Sequence, residues 1–284
     1  MFFGTKTKYK IKHDSLYIFN LISKKWDASQ IVEVNTKVLK LNFDKNIVLQ
    51  FSKLNYKENE SENFDKIIIS KSPCFVGCPI NDIEINKNGE IYYHGKDYNS
   101  KNGFFRSQIN SNEFDQIEKN LKKVNYLNLK DKYSADWTDD QEVSVTFVRE
   151  NKIVKSISDY GGQSPKKFRI NIEPLTYLYQ KLKLVENKTV KEFQNVNFRF
   201  EKGNQSINLT SAEVFYLFNL LSNSKSTNKT FQSVYITNYD IDYNVSRIET
   251  DGRYFKIFSK DKNAITLDLG FNFIKRNKLT KRLN

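Results

Sequence analysis

The stretch "KSPCFVGCPINDIEINKNGEIYYHG", residues 71–95, decides how the middle of this chain folds. Its second half carries two β-type runs, "INDIEI" and "EIYYHG", on either side of Asn88-Gly89. That dipeptide is the one a tight antiparallel turn prefers, so the segment is a hairpin. Its first half holds the only two cysteines of 284 residues, Cys74 and Cys78, with Gly77 between them and Pro73 and Pro79 outside. A disulfide here would close a small loop whose glycine permits the turn. Chain entropy gives so short a loop only about 2 kcal/mol, enough to pin a loop but not to hold a fold. Two buried free thiols are the other open reading. A structural zinc wants four ligands, and C-x3-C with His94 offers three at best. A redox pair would take the form C-x-x-C, Pro79 biases Cys78 away from a helical pairing, and a catalytic thiol lacks an evident histidine partner.

Outward from the hairpin, residues 65–185 read as one unit. "DKIIIS" precedes the cysteine loop as a strand, and "GFFRSQI" follows the hairpin as another. "NSNEFDQIEKNLKKV" places Phe114, Ile117, Leu121 and Val124 on one helical face behind an Asn110/Ser111 cap. "EVSVTFVRENKIVKSISDY" is a second hairpin turning near Glu150-Asn151. A last helix is expected to start close to Pro174 and to run through "PLTYLYQKLKL". The order β-β-β-β-α-β-β-α predicts a sheet carrying two helices.

Residues 1–56 read as a β-meander of short runs such as "KYKIK", "SLYIF" and "KVLKLNF", broken at His13-Asp14, Asn35-Thr36 and Asp44-Lys45-Asn46. Charged residues 57–64 read as a linker. Residues 195–284 read as a small α+β module. There Thr210 and Glu213 form a capping box ahead of "VFYLFNLL", and Asp251-Gly252 marks a tight turn between strands. The fold class is therefore α+β, built on antiparallel sheets.

Composition narrows the function classes. With 22 Phe and 16 Tyr the chain can build real cores in spite of a 38% hydrophobic content. Its net charge of +13 invites a nucleic-acid reading. Yet only 8 of the 46 basic residues are arginine, the residue that reads phosphate and bases with two donors at once, and lysine is scattered along the whole length. The charge therefore argues for a solvated lysine surface, not for specific nucleic-acid binding. No apolar run is long enough for a transmembrane helix. The start lacks the apolar core of a signal peptide, which taken literally means a cytoplasmic chain.

Few side chains form chemical constellations. Asp136, Asp139, Asp140 and Glu142 in "SADWTDDQEVSV" could offer hard oxygen ligands to a divalent cation, and so an alternative reading as a cation-dependent or hydrolase-like enzyme. They lack the geometry of a calcium-binding loop, and the commoner role of such a stretch is a solvated turn. "SDYGGQSPKK", residues 158–167, sets Asp159 before paired glycines but matches no phosphate-loop pattern. His13 and His94 are the only histidines and fall in different segments, so no Ser/His/Asp set can be drawn. His94, close in sequence to the cysteine loop, is the better catalytic candidate, although a strand-end histidine is commonly structural. No cofactor is expected.

The cysteine loop, the hairpin, the amphipathic helix, "TDDQEVSVTFV" and "ISDYGG" in this order resemble an uncharacterised bacterial domain family. Its hallmark is a Cys-Phe-Gly-x-Cys-Pro loop with a later Asp-Tyr-Gly turn. The resemblance covers about residues 65–185, and Val76-Gly77 departs from it by shifting the glycine one position. The family has no established activity, so no catalytic residue carries over. The resemblance implies an exported or lipid-anchored envelope protein, with an envelope protein as partner and an export signal upstream of Met1. It also implies a Cys74–Cys78 disulfide and an N-terminal meander that is the end of a lipocalin-like sheet. The reading that follows is a non-enzymatic binding or scaffolding protein.

Overall fold

Alternation of apolar and polar residues organises the N-terminal strands. The computed structural model describes residues 7–44, 47–53, 62–187, 198–239, 244–260 and 263–283. The chain divides into two compact units, residues 1–58 and 59–284. In the first, β1 (Tyr9–Lys12), β2 (Ser15–Phe19), β3 (Trp26–Val34), β4 (Val38–Asp44) and β5 (Ile47–Ser52) form an antiparallel meander in that order. Cross-strand pairs Ile11↔Leu16, Ile31↔Leu41, Leu39↔Phe51 and Leu41↔Leu49 put these side chains on one face. A bulge between Ile31 and Glu33 keeps Val34 on that face as well. Of these residues only Leu41 is fully buried. Most of the linker expected at 57–64, and the break at Lys45-Asn46, lie outside the described residues.

The second unit is built on an eight-stranded sheet. It comprises β6 (Lys66–Lys71), β7 (Ile80–Asn86), β8 (Glu90–Asp97), β9 (Gly103–Gln108), β10 (Lys132–Ser134), β11 (Glu142–Arg149), β12 (Lys152–Tyr160) and β13 (Val185–Glu186). The order is β10-β12-β11-β6-β7-β8-β9-β13, antiparallel except for the parallel pair β10 and β12. Tight turns fall where the dipeptides place them, with Gly89 at φ +83° and with Glu150 and Asn151 both left-handed at φ 52° and 57°. Helices α1 (Ser111–Lys122) and α2 (Lys166–Thr176) cover one face, over a core that includes Ile67, Ile69, Ile83, Ile85, Val145 and Phe147. α1 starts at the expected cap: Asn110 accepts from the Glu113 N–H, and Glu113 accepts from the Asn110 N–H.

The second helix departs from expectation. It begins eight residues earlier, at Lys166, because Pro165 sits at its N-cap with φ −52°. Pro174 lies in its last turn, where the missing N–H weakens the helix. The α-helix stops two residues later, and the chain passes into a 3-10 turn at Leu178–Lys181.

The other face of the sheet carries α3 (Ser211–Ser222). "AEVFYLFNLL" buries residues all round the helix, from Ala212 and Phe215 to Leu217, Phe218 and Leu221, because α3 has a sheet on each side. The far sheet runs β16-β20-β19-β18-β17. Its strands are β16 (Lys225–Ser226), β17 (Tyr235–Asn238), β18 (Val245–Thr250), β19 (Tyr254–Ser259) and β20 (Ala264–Asp268), and α4 (Phe273–Arg276) follows. The hairpin β14 (Arg199–Lys202) and β15 (Gln205–Asn208) completes the layer. Residues 198–283 thus share a continuous core with Ile68, Val148 and Ile153 of the central sheet.

The contact of α3 with the central sheet is unusually polar. Ala212 N–H donates to Ser144 Oγ at 3.0 Å, and Asn219 donates to Glu84 at 2.8 Å. Glu213, fully buried, accepts from its own cap residue Thr210, from Ser156 at 2.6 Å, and from Arg282 through both oxygens at 2.9 and 2.8 Å.

Candidate functional site

Three loops meet at one end of the central sheet: the cysteine loop after β6, the "TDDQE" segment before β11, and the "DYGG" turn after β12. Their junction is Gln141. Its side-chain amide donates to the carbonyls of Ser72 at 2.7 Å and Pro79 at 3.0 Å, which are the two ends of the cysteine loop. Its own carbonyl accepts from Gly161 N–H at 3.2 Å, which ties in the glycine turn. Ser72 adds a second tie, because its N–H donates to the Glu142 carbonyl while its Oγ accepts from Glu142 N–H.

Cys74 and Cys78 stand at disulfide-bonding distance, with their Cα atoms 5.7 Å apart. Gly77 has φ +54°, and its missing Cβ faces the Tyr98 ring 3.7 Å away. The loop projects Phe75 and Val76 into solvent, 81% and 77% exposed. Exposed Trp137 and Tyr98 flank the same end of the sheet.

The acidic cluster does not converge. Asp136 and Asp139 are exposed. Asp140 accepts from Trp137 Nε1 at 3.0 Å and from Gln141 N–H at 2.7 Å. Glu142 shares the α3-facing side of β11 with Ser144, whereas Val143 points to α2. Among the described residues no group of three or more His, Cys, Asp or Glu could hold a metal ion. Asp136, Asp139, Asp140 and Glu142 therefore do not gather into a metal site among the described residues.

Asp159 organises its own turn. Its carboxylate accepts from the N–H groups of Gln163 at 2.6 Å and Ser164 at 3.1 Å, and from the Ser164 hydroxyl. Gly161 and Gly162 adopt φ +70° and +65°, and a Cβ on Gly161 would stand 2.6 Å from that of Ala135, so the turn requires glycine there.

His94 lies on the opposite face. It stacks on Phe104 with ring centroids 3.8 Å apart, and its Nδ1 is 3.2 Å from Asp82 Oδ2, which also pairs with Lys96 Nζ at 2.9 Å. Burial alone would raise the Asp82 pKa, but Lys96 and His94 outweigh it and hold this carboxyl below the ordinary range. Asp82 and His94 are buried, and the His94 ring stacks toward Phe215 of α3, whereas Lys96 is exposed.

A cavity of about 290 Å³ behind the loops is lined by Asp140 and Asp159, which the sequence singles out, together with Lys71, Arg169 and other residues that it does not. The cross-strand row Lys71↔Val143↔Asp159 runs along one side of it, and Phe168, Arg169 and Ile172 of α2 line it too. Lys71 is only 6% exposed. Its ammonium donates to Tyr177 Oη at 3.2 Å and lies 4.6 Å from the centre of that ring. Burial lowers the Lys71 pKa below the usual lysine value, against the opposing pull of Glu173. A wider hollow of about 600 Å³ adjoins α3, but its buried carboxylate, Glu84, is already paired with Lys66.

No curated protein and no solved structure matches this chain. Residues 65–179, from the residue before β6 through the end of α2 and into the turn beyond it, match the family model of a "Domain of unknown function (DUF6438)", a span of less than half the chain.

Proposed function

We propose that this chain is a binding or scaffolding protein of the bacterial cell envelope that engages a polypeptide partner through its cysteine loop. The observation that carries the reading is the loop tip. Phe75 and Val76 are 81% and 77% exposed, on a loop with a cysteine pair at its base. Two large apolar side chains held out in water cost free energy unless a partner covers them, and a pinned loop loses little entropy on binding. The cysteine pair fits an oxidising compartment, where disulfides persist. A non-catalytic role agrees with carboxylates that are spent on their own turns.

The test has two arms, both on protein from the native host. Alkylation under denaturing conditions without reductant should add no mass. A photo-crosslinking residue at Phe75, and separately at Val76, should trap one and the same polypeptide, whereas the exposed hairpin position Lys87 should not. Two alkyl groups would end the oxidising-compartment reading. Trapping no different from that at Lys87 would end the binding role of the tip.

A further inference from the structure

The cavity behind the loops holds a buried ammonium on which Glu173 pulls without forming an ion pair. Lys71 is more than nine-tenths buried, yet its ammonium has one hydrogen-bond acceptor, a neutral phenol, and makes no ion pair among the described residues. An ammonium offers three donors and is costly to bury unpaired. Two of the three carboxylates lining the same cavity are not free to answer it. Asp159 is turned to Gln163 and Ser164, and exposed Asp140 to Trp137 and Gln141, and neither forms an ion pair with Lys71 among the described residues. The third, Glu173, is on the exposed side of α2, and its pull does not cancel the cost of burying Lys71. Arg169 supplies a second cation. Its Nε donates to the Ser164 carbonyl, and its guanidinium lies over Gly162, where a Cβ would come within 3.1 Å of Nη1. Beside these cations, Val143, Phe168 and Ile172 give the cavity an apolar side.

We propose that this cavity is a binding site for a carboxylate joined to a small apolar group, with Lys71 and Arg169 taking the carboxylate and Val143, Phe168 and Ile172 the apolar part. A volume of about 290 Å³ admits a ligand at the small end of the usual range. Two sources share this chemistry, the C-terminal residue of a polypeptide and a free organic acid. The inference stands on the cavity alone and does not depend on the loop tip.

Calorimetric titration of the full chain with N-acetyl-leucine and with N-acetyl-leucinamide tests it. The acid should bind at least about tenfold tighter than the amide, as expected when a ligand pairs with a charge of its own choosing. The preference should vanish in Lys71→Met and shrink in Arg169→Gln. Equal binding of acid and amide, no binding of either, or a preference that survives Lys71→Met would each overturn the proposal. A second readout needs no variant: with lysines reductively dimethylated with a 13C label, saturating N-acetyl-leucine should raise the pH at which the Lys71 resonance titrates. An unmoved midpoint overturns the proposal as well. A leucine-terminated peptide, free and amidated, separates the sources. Tighter binding of the peptide acid than of N-acetyl-leucine points to a polypeptide C-terminus, and the reverse points to a free acid.

Discussion

Asp82 carries a pH dependence that belongs to a single side chain. Lys96 and His94 hold its carboxyl below the ordinary carboxylate range, so the folded chain takes up this proton less readily than the unfolded chain does. The stabilisation is complete above the unfolded value of about 4 and is lost as pH falls through the lower folded value. Asp82→Asn should therefore flatten the acid limb of a stability profile measured by urea unfolding between about pH 2 and 5, and an unchanged limb would refute the assignment. At this scale the sequence was legible in part. Asn88-Gly89, the Asn110 cap and the Thr210/Glu213 box were all read correctly, because each acts through a backbone group within three residues. Lys71, Gln141 and Arg169 escaped notice. The partners of Lys71 and Gln141, Tyr177 and Ser72, are remote in the chain, and a lysine in a lysine-rich sequence carries no local signal of burial.

α3 shows how one element can be read twice over. Its capping box marked where it begins, but the same Glu213 carboxylate also receives Ser156 from the central sheet and Arg282 from the C-terminal turn. Replacing it by alanine removes a cap, leaves the Arg282 guanidinium to solvent and leaves the buried Ser156 hydroxyl with Thr146 alone. Glu213→Ala should cost about 3 kcal/mol or more by denaturant unfolding, and a loss below about 1 kcal/mol would show that the buried network adds nothing to the cap. α2 teaches the opposite lesson. Pro174 drew the helix start toward itself because proline favours first turns, yet Pro165 has the same preference and stands ahead of a longer run. Between two prolines, the apolar positions Phe168, Ile172 and Leu175 decide the matter by packing on the sheet.

For the whole molecule, the sheet is sandwiched, with α1 and α2 on one side and α3 with its own sheet on the other. The part that matches a known family, residues 65–179, supplies only one of these covers. A fragment ending at residue 187 would expose Ile68 and Val148 together with Ser144, Thr146 and Ser156, which α3 and its neighbours otherwise bury. Such a fragment should lose cooperative thermal unfolding, whereas residues 59–284 should keep it; a sharp transition in the shorter fragment would show that α3 is dispensable. The sequence pointed to separate modules because each stretch has its own strands and helix. That α3 buries its whole circumference was written in "VFYLFNLL", which has no polar stripe to turn to water.

The place of β6 in the sheet has a consequence for how the chain is made. It is the first strand of its unit to leave the ribosome, and it ends at the centre of the sheet between β7 and β11. β7 arrives almost at once, but residues 143–148, its other neighbour, are synthesised more than 70 residues later. At ordinary translation speeds that is a wait of about 4 to 15 seconds. Throughout it "KIIIS" offers one unpaired edge to any other strand that passes. The nascent chain is thus most prone to aggregate in the interval before β11 emerges, and a chaperone that shields it would act on a strand that the finished protein hides completely.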